Sequence, residues 1–171
     1  MAAAREPVVR PVGRVQTDYA SPAATPVQTR RNPDAVGRVE LDARYAPMLE
    51  GLAGFDYVWL LSWLDRAAAP DTDGRVTPLL LRHLGRRLGL FATRHPARPN
   101  PIGLSVVRLV GIGGATLHIR GVDLTDGTPV LDVKPWQQQL DVPCWDDGAH
   151  AVAAIRGGWL PEAHPDQVLP D

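Results

Sequence analysis

Leu104-Ser-Val-Val-Arg-Leu-Val-Gly-Ile112 and Thr116-Leu-His-Ile-Arg-Gly-Val122, with Gly113-Gly114 between them, decide how this chain folds. Both runs have the β-branched and aliphatic composition of strands. In the second, Leu117, Ile119 and Val122 are apolar while His118 and Arg120 alternate with them. A Gly-Gly step supplies the positive φ that a tight hairpin needs. The segment therefore predicts two adjacent antiparallel strands. Outward from it, Val8–Thr17, Val36–Leu41 and the nearly continuous apolar run Tyr57–Leu64 also read as strands. Val130–Val133 is a short strand after the turn Thr125-Asp126-Gly127. Pro78–His83 and Leu88–Ala92 are expected to pair as a hairpin across Gly85-Arg86-Arg87, and Tyr45–Leu52 to form one short helical turn. Asp147–Arg156, with an acidic start, an Ala-rich middle and Gly157-Gly158 as a stop, is the one good helix candidate. Many short strands between Gly, Pro and Asp turns predict an all-β fold: a small closed or partly open β-barrel with short helices and a C-terminal helix.

A chain of 171 residues, 44% of them apolar, reads as a single domain over residues 1–171. Its core is expected over about residues 8–145, with residues 160–171 as a mobile tail. The loops Asp18–Ala35 and Ala67–Gly74 are long and polar, and the first is a suspect site element because structureless loops of that length are usually functional or disordered. There is no run of 18 apolar residues, and the N-terminus lacks the apolar core of a signal peptide. With Cys144 as the single cysteine, an intramolecular disulfide and a cysteine metal cluster are both excluded, and a reducing, cytoplasmic setting without membrane attachment is expected.

Net charge is only −1, but its distribution is uneven. From Gly74 to Val122 there is no Asp or Glu but eight arginines (Arg75, Arg82, Arg86, Arg87, Arg94, Arg98, Arg108 and Arg120), so this stretch carries +8 and the remainder −9. A solvated arginine-rich surface would explain the arginines but not the missing acids. A basic face for phosphate or carboxylate explains both.

Two dense motifs carry the chemistry. Phe91–Ser105 contains Pro96, Pro99 and Pro101 together with Arg94, Arg98 and Asn100. The prolines fix φ and push the residues before them toward extended geometry. The result is a stiff loop that loses little entropy when its polar groups hold a planar or anionic ligand. Gly121–Trp136 contains Asp123, Asp126 and Asp132. Turn chemistry accounts for Asp126, but Asp132 interrupts the apolar run Val130-Leu131-Asp132-Val133. An inward carboxylate there would need a partner, and Lys134, the only lysine, lies two residues on and on the same strand face. A structural Asp132–Lys134 pair and a catalytic or substrate-binding pair fit the pattern equally. Trp59 and Trp63 sit in an apolar strand and read as core, whereas Trp136 follows Lys-Pro and is placed either to stack on a base or to pack at a subunit interface. No nucleotide-binding glycine signature of a doubly wound fold is present, and the five histidines show no metal-ligand spacing, so no metal is expected.

These motifs resemble the TsaA/TrmO family. Phe-Ala-Thr-Arg-x-x-x-Arg-Pro-Asn-Pro-Ile-Gly-Leu-Ser and Gly-Val-Asp-Leu-x-Asp-Gly-Thr-Pro-Val-Leu-Asp-Val-Lys-Pro look like its two central motifs. Gly13-Arg-Val-Gln-Thr, Pro26-Val-Gln28 and Leu49-Glu-Gly-Leu-Ala-Gly-Phe55 extend the match, which covers about Gly13 to Asp141. The resemblance implies a β-barrel methyltransferase that uses S-adenosylmethionine as a homodimer. Its implied substrate is the exocyclic nitrogen of threonylcarbamoyl-adenosine beside the tRNA anticodon. It places cofactor contacts at Pro26, Val27 and Gln28, at Arg94, at Leu104, and at Arg120, Gly121, Val122 and Asp123. Asp132 or Asp126 is then the candidate proton acceptor or amine-orienting group, with Lys134 beside it. Arg98, Asn100, Lys134 and Trp136 are the candidate substrate contacts. The chain departs from the family pattern at Asp65, where His is usual, and at Trp136, where Tyr is usual. It also ends about thirty residues after Asp141, short of the extension of longer bacterial members. A small-molecule methyl acceptor, or an RNA- or nucleotide-binding module without turnover, is the alternative to tRNA methylation.

Overall fold

In the computed structural model, which describes residues 7–142 and Gly158, the strands are Gly13–Gln16 (β1), Val36–Leu41 (β2), Tyr57–Trp63 (β3), Arg75–Val76 (β4), Leu88–Gly89 (β5), Ile102–Gly113 (β6), Thr116–Arg120 (β7) and Pro129–Pro135 (β8). The predicted hairpin forms as β6–β7, turning at Gly114 (φ +61°) between the paired residues Gly113 and Thr116. Six strands close into a barrel in the order β1-β2-β7-β6-β3-β8, so the barrel is closed rather than partly open. This unit comprises the described residues up to Asp65 together with Gly103–Pro135. β1 starts later than the expected Val8–Thr17 run because Pro11 lacks the N–H a ladder needs. The helix expected over Asp147–Arg156 and the tail over residues 160–171 lie outside the described residues. No helix among the described residues is long and apolar enough to cross a membrane.

Alternation along each strand fills the barrel. Val15, Val39, Val58, Leu60, Val107, Leu109, Leu117, Ile119 and Val130 are all buried, with Val122 and Leu124 from the β7–β8 connection. β3 shows the period most plainly: Val58, Leu60 and Ser62 point inward, while Trp59, Leu61 and Trp63 alternate with them. Trp59 and Trp63 are therefore half-buried on the outer side of β3, not core residues as expected, because the alternation assigns the core to Val58 and Leu60.

Two bulges reset that alternation. On β8, Leu61 pairs with Asp132 but Ser62 pairs with Val130, leaving Leu131 as the extra residue. Without it, Val130, Asp132 and Lys134 would share the inner face. With it, Val133 joins the core opposite Leu60, and Asp132 and Lys134 turn outward. The carboxylate expected to interrupt a buried run thus lies half-exposed, its Oδ2 2.9 Å from Lys134 Nζ. On β6 the register shifts between Leu109 and Gly111, and the extra residue Val110 is 56% exposed.

The second unit comprises Arg66–Ile102 and the described residues from Trp136 onward, including the short helix Gln138–Asp141 (α1). Here the expected hairpin of Pro78–His83 with Leu88–Ala92 does not form. Leu79–Leu84 is a 3-10 helix that follows Pro78 and ends at Gly85, burying Leu81. β5 pairs instead with β4, Arg75 opposite Gly89. Arg87 fastens this ribbon: it donates to Asp73 Oδ2 (2.8 Å), Asp71 Oδ2 (3.0 Å) and Arg75 O (2.8 Å). One charge of the basic stretch is therefore neutralised by acids just outside it. In the proline-rich loop, Arg98 Nη1 donates to Thr93 O (2.9 Å), and Thr93 Oγ1 donates to Leu90 O (2.8 Å). Ala97 N–H donates to His95 Nδ1 (3.2 Å). Burial, reinforced by the positive charges of Arg82 and Arg98 and opposed by Asp71, holds the His95 pKa below its ordinary value.

Two measurements test this packing. A Cβ on Gly13 would fall on the Glu40 carbonyl and within 2.7 Å of Leu41 Cα, so β1 approaches β2 this closely only with glycine. Gly13→Ala should destabilise the fold by about 1–3 kcal/mol, read from denaturant melts; an unchanged midpoint would refute the close approach. Because the folded pKa of His95 is depressed, its neutral form is fully favourable above the ordinary value of 6.5 and stability falls as pH drops through the window below it. The melting temperature should decline with acid there, and His95→Gln should flatten the decline. An identical decline in the variant would remove His95 as its cause.

Candidate functional site

The β1–β2 connection, residues 17–35, is the long polar loop singled out in the sequence, and it is laced to the β7–β8 connection, residues 121–128. Thr17 N–H donates to Asp126 Oδ1 (3.1 Å), and the Thr17 hydroxyl donates to Leu124 O (3.0 Å). Asp126 N–H returns a bond to Tyr19 O, and Gly121 N–H donates to Ala35 O, both 2.8 Å. The Thr25 and Thr125 hydroxyls meet at 3.1 Å, and Asn32 Nδ2 donates to the Tyr19 hydroxyl at 2.9 Å. Two 3-10 turns, Pro22–Ala24 and Thr29–Arg31, shape the loop between these points, with Gln28 extended at the start of the second.

Asp123 is where the parts meet. Its Oδ1 accepts the Ser105 hydroxyl of β6 at 2.6 Å, and its Oδ2 accepts Thr29 N–H at 3.1 Å. Ser105 is buried, at 5% exposure, so the carboxylate is reached from inside the barrel wall as well as from the loop. In the same segments Val27 is 42% and Leu104 55% exposed.

Of the residues expected to contact a cofactor, Pro26, Val27, Gln28, Leu104, Gly121, Val122 and Asp123 thus lie in three segments that hydrogen bonds join at Asp123. Val122 itself is fully buried, so only its backbone could face a ligand. Arg120 projects from the outer face of β7, opposite Arg108 of β6. Asp126 anchors the loop through Thr17, and Asp132 is held by Lys134 and by Val133 N–H, which donates to Oδ1 at 2.9 Å. Arg94, Arg98, Asn100 and Trp136 belong to the second unit. There Arg94 and Asn100 are exposed, and Arg98 is engaged with its own loop, its guanidinium 5.5 Å from the Phe91 ring centre. The sequence reading missed Ser105, Thr29 and Thr125. Ser105 carried a signal: it is the polar residue at an inward position of an otherwise apolar strand. Thr29 acts through its backbone, which no side-chain pattern reveals.

Comparison with known proteins places these features in a family. Residues 14–142 match the model of the tRNA-methyltransferase O N-terminal domain. A Pyrococcus abyssi protein named "Probable S-adenosyl-L-methionine-binding protein" is 39% identical over 151 residues, 88% of this chain and 74% of that protein. The mouse tRNA (adenine(37)-N6)-methyltransferase is 40% identical over 95 residues, 56% of this chain but 22% of that enzyme. The crystal structure of TrmO from Pseudomonas aeruginosa superposes with a TM-score of 0.67 at 35% identity, over 85% of this chain and 62% of that one. The matched stretch takes in the loop of residues 17–35, the proline-rich motif and Asp123, and the chain belongs to the tRNA-methyltransferase O family.

Proposed function

We propose that this chain transfers a methyl group from S-adenosylmethionine to the exocyclic nitrogen of threonylcarbamoyl-adenosine beside the tRNA anticodon. As a member of its family it is an S-adenosylmethionine-dependent methyltransferase. The observation that carries the reading is the convergence of three expected contact segments on Asp123. The donor set there fits the cofactor's chemistry. A carboxylate suits an ammonium or a ribose diol, the Gln28 amide suits an adenine edge, and exposed Val27 and Leu104 suit an apolar ring face. When bound, the cofactor supplies an electrophilic methyl on a sulfonium.

The chain's own residues supply alignment and proton handling. Asp132 and Lys134, turned outward by the β8 bulge, form an ion pair that a substrate amine or carbamoyl group can enter. Asp132 orients the nucleophilic nitrogen and accepts its proton, and Lys134 holds the substrate's carboxylate. Asp126 keeps the loop of residues 17–35 in place. The family resemblance assigns the cofactor carboxylate to Arg94 and the nucleoside side to Asn100 and Trp136. A homodimer completes the arrangement.

Incubation with methyl-labelled S-adenosylmethionine and total tRNA, with and without the threonylcarbamoyl modification, tests the substrate. Label should enter only modified tRNA; label entering neither tRNA would end the tRNA reading and leave a small-molecule acceptor. Arg94→Ala removes a charge-assisted pair of about 1.5–3 kcal/mol, so calorimetry should show S-adenosylmethionine affinity at least tenfold weaker. Unchanged affinity would remove Arg94 from the site. Asp132→Asn should keep cofactor affinity and melting temperature while lowering the single-turnover rate. If the variant instead melts lower and turns over normally per folded molecule, Asp132–Lys134 is only a structural pair.

A further inference from the structure

The outer face of the barrel carries a pair of arginines, one of them Arg120, whose side chains no role above uses. Antiparallel register places Arg108 of β6 directly opposite Arg120 of β7, with Val36 of β2 completing the row. Side chains so paired start about 5 Å apart on the same face. Both arginines are exposed, and among the described residues neither has a hydrogen-bond or ion-pair partner. The next arginine on this face is handled differently: Arg38 Nε donates to Gln16 Oε1 at 2.7 Å and to Glu40 Oε1 at 3.0 Å. Like charges directly opposite on neighbouring strands are unfavourable, and nothing in the described chain offsets this pair.

We propose that Arg108 and Arg120 together form a docking point for a backbone phosphate of RNA. The inference rests on the reading of tRNA as substrate and adds where part of its backbone would lie. Two guanidinium groups held by strand register can each donate to the oxygens of one phosphodiester, which also relieves their mutual repulsion. In the adjacent row His118 faces Gly111, where a Cβ would meet nothing within 4 Å, so open ground for a nucleic-acid chain adjoins the pair. A membrane surface is a poorer match. Binding to anionic lipid takes clusters of about four to eight cations, whereas the described residues of this face offer two arginines without a partner: Arg38 is bound to Glu40 and Arg14 to the Gly127 carbonyl.

The test compares wild type with Arg108→Gln and Arg108→Glu, using fluorescence anisotropy with tRNA across a salt series. S-adenosylmethionine affinity and melting temperature are measured alongside. Arg108→Gln should weaken tRNA binding several-fold and reduce the slope of log K against log salt by about one. Arg108→Glu should weaken it tenfold or more without lowering the melting temperature, because the glutamate would face Arg120 as an opposite charge. Both variants should bind S-adenosylmethionine as wild type does. If wild type binds tRNA and both variants match its affinity and salt slope, the docking point is wrong while the substrate reading stands. If wild type binds S-adenosylmethionine but not tRNA even at low salt, both fall. Variants that lose binding to phosphatidylserine vesicles but keep wild-type tRNA affinity would assign the pair to a membrane and overturn the proposal.

Discussion

A single carboxylate ties together the parts of the barrel unit that surround the candidate cofactor site. Asp123 sits in the β7–β8 connection, accepts the Ser105 hydroxyl from β6 and accepts Thr29 N–H from the β1–β2 loop. Charge-assisted bonds of this kind are among the stronger ones a protein makes. They fix a long loop to a closed wall whose core of valines, leucines and isoleucine is set independently by strand alternation. The ring is rigid because closure leaves no free edge, so the loop is the part whose position needs fixing. Bonds between residues 124–126 and Thr17, Tyr19 and Thr25 distribute the same task along the loop.

Backbone register then decides which polar groups face outward for chemistry. A strand without a bulge would have carried Asp132 and Lys134 into the core beside Val130, at the cost of burying an ion pair. The extra residue Leu131 exchanges that position for Val133 and turns the pair to the surface. Register of the same kind sets Arg108 against Arg120 on the far side of the β6–β7 hairpin. In both places a spacing invisible in composition determines what a ligand could meet.

The barrel was largely legible in the sequence because its strands alternate or run apolar between Gly, Pro and Asp turns. Val36–Leu41 forms over the expected residues, and the hairpin at Gly113-Gly114 forms as read. Failures came where local pattern was ambiguous. Leu79, Leu80 and Leu81 fit a strand by hydrophobicity, yet Pro78 before them and Gly85 after them bracket a 3-10 helix that buries Leu81 alone. Trp59 and Trp63 read as core from size and hydrophobicity, but period two had already committed the inner positions to Val58 and Leu60. For the site, the residue types were legible from the two motifs and their family resemblance. The bond from Thr29 N–H to Asp123 and the bulge at Leu131 were not, since both are properties of backbone geometry.

Under the proposed function, Asp123 holds the loop of residues 17–35 in the shape that receives the cofactor. Amide hydrogen exchange on wild type and Asp123→Asn, each with and without S-adenosylmethionine, tests it most directly. In the variant the Thr29 region should exchange faster while β2, β6 and β7 keep their protection. Cofactor that slows exchange of the loop in wild type should do so weakly or not at all in the variant. Equal loop protection in the two proteins, with equal slowing on addition of cofactor, would contradict it.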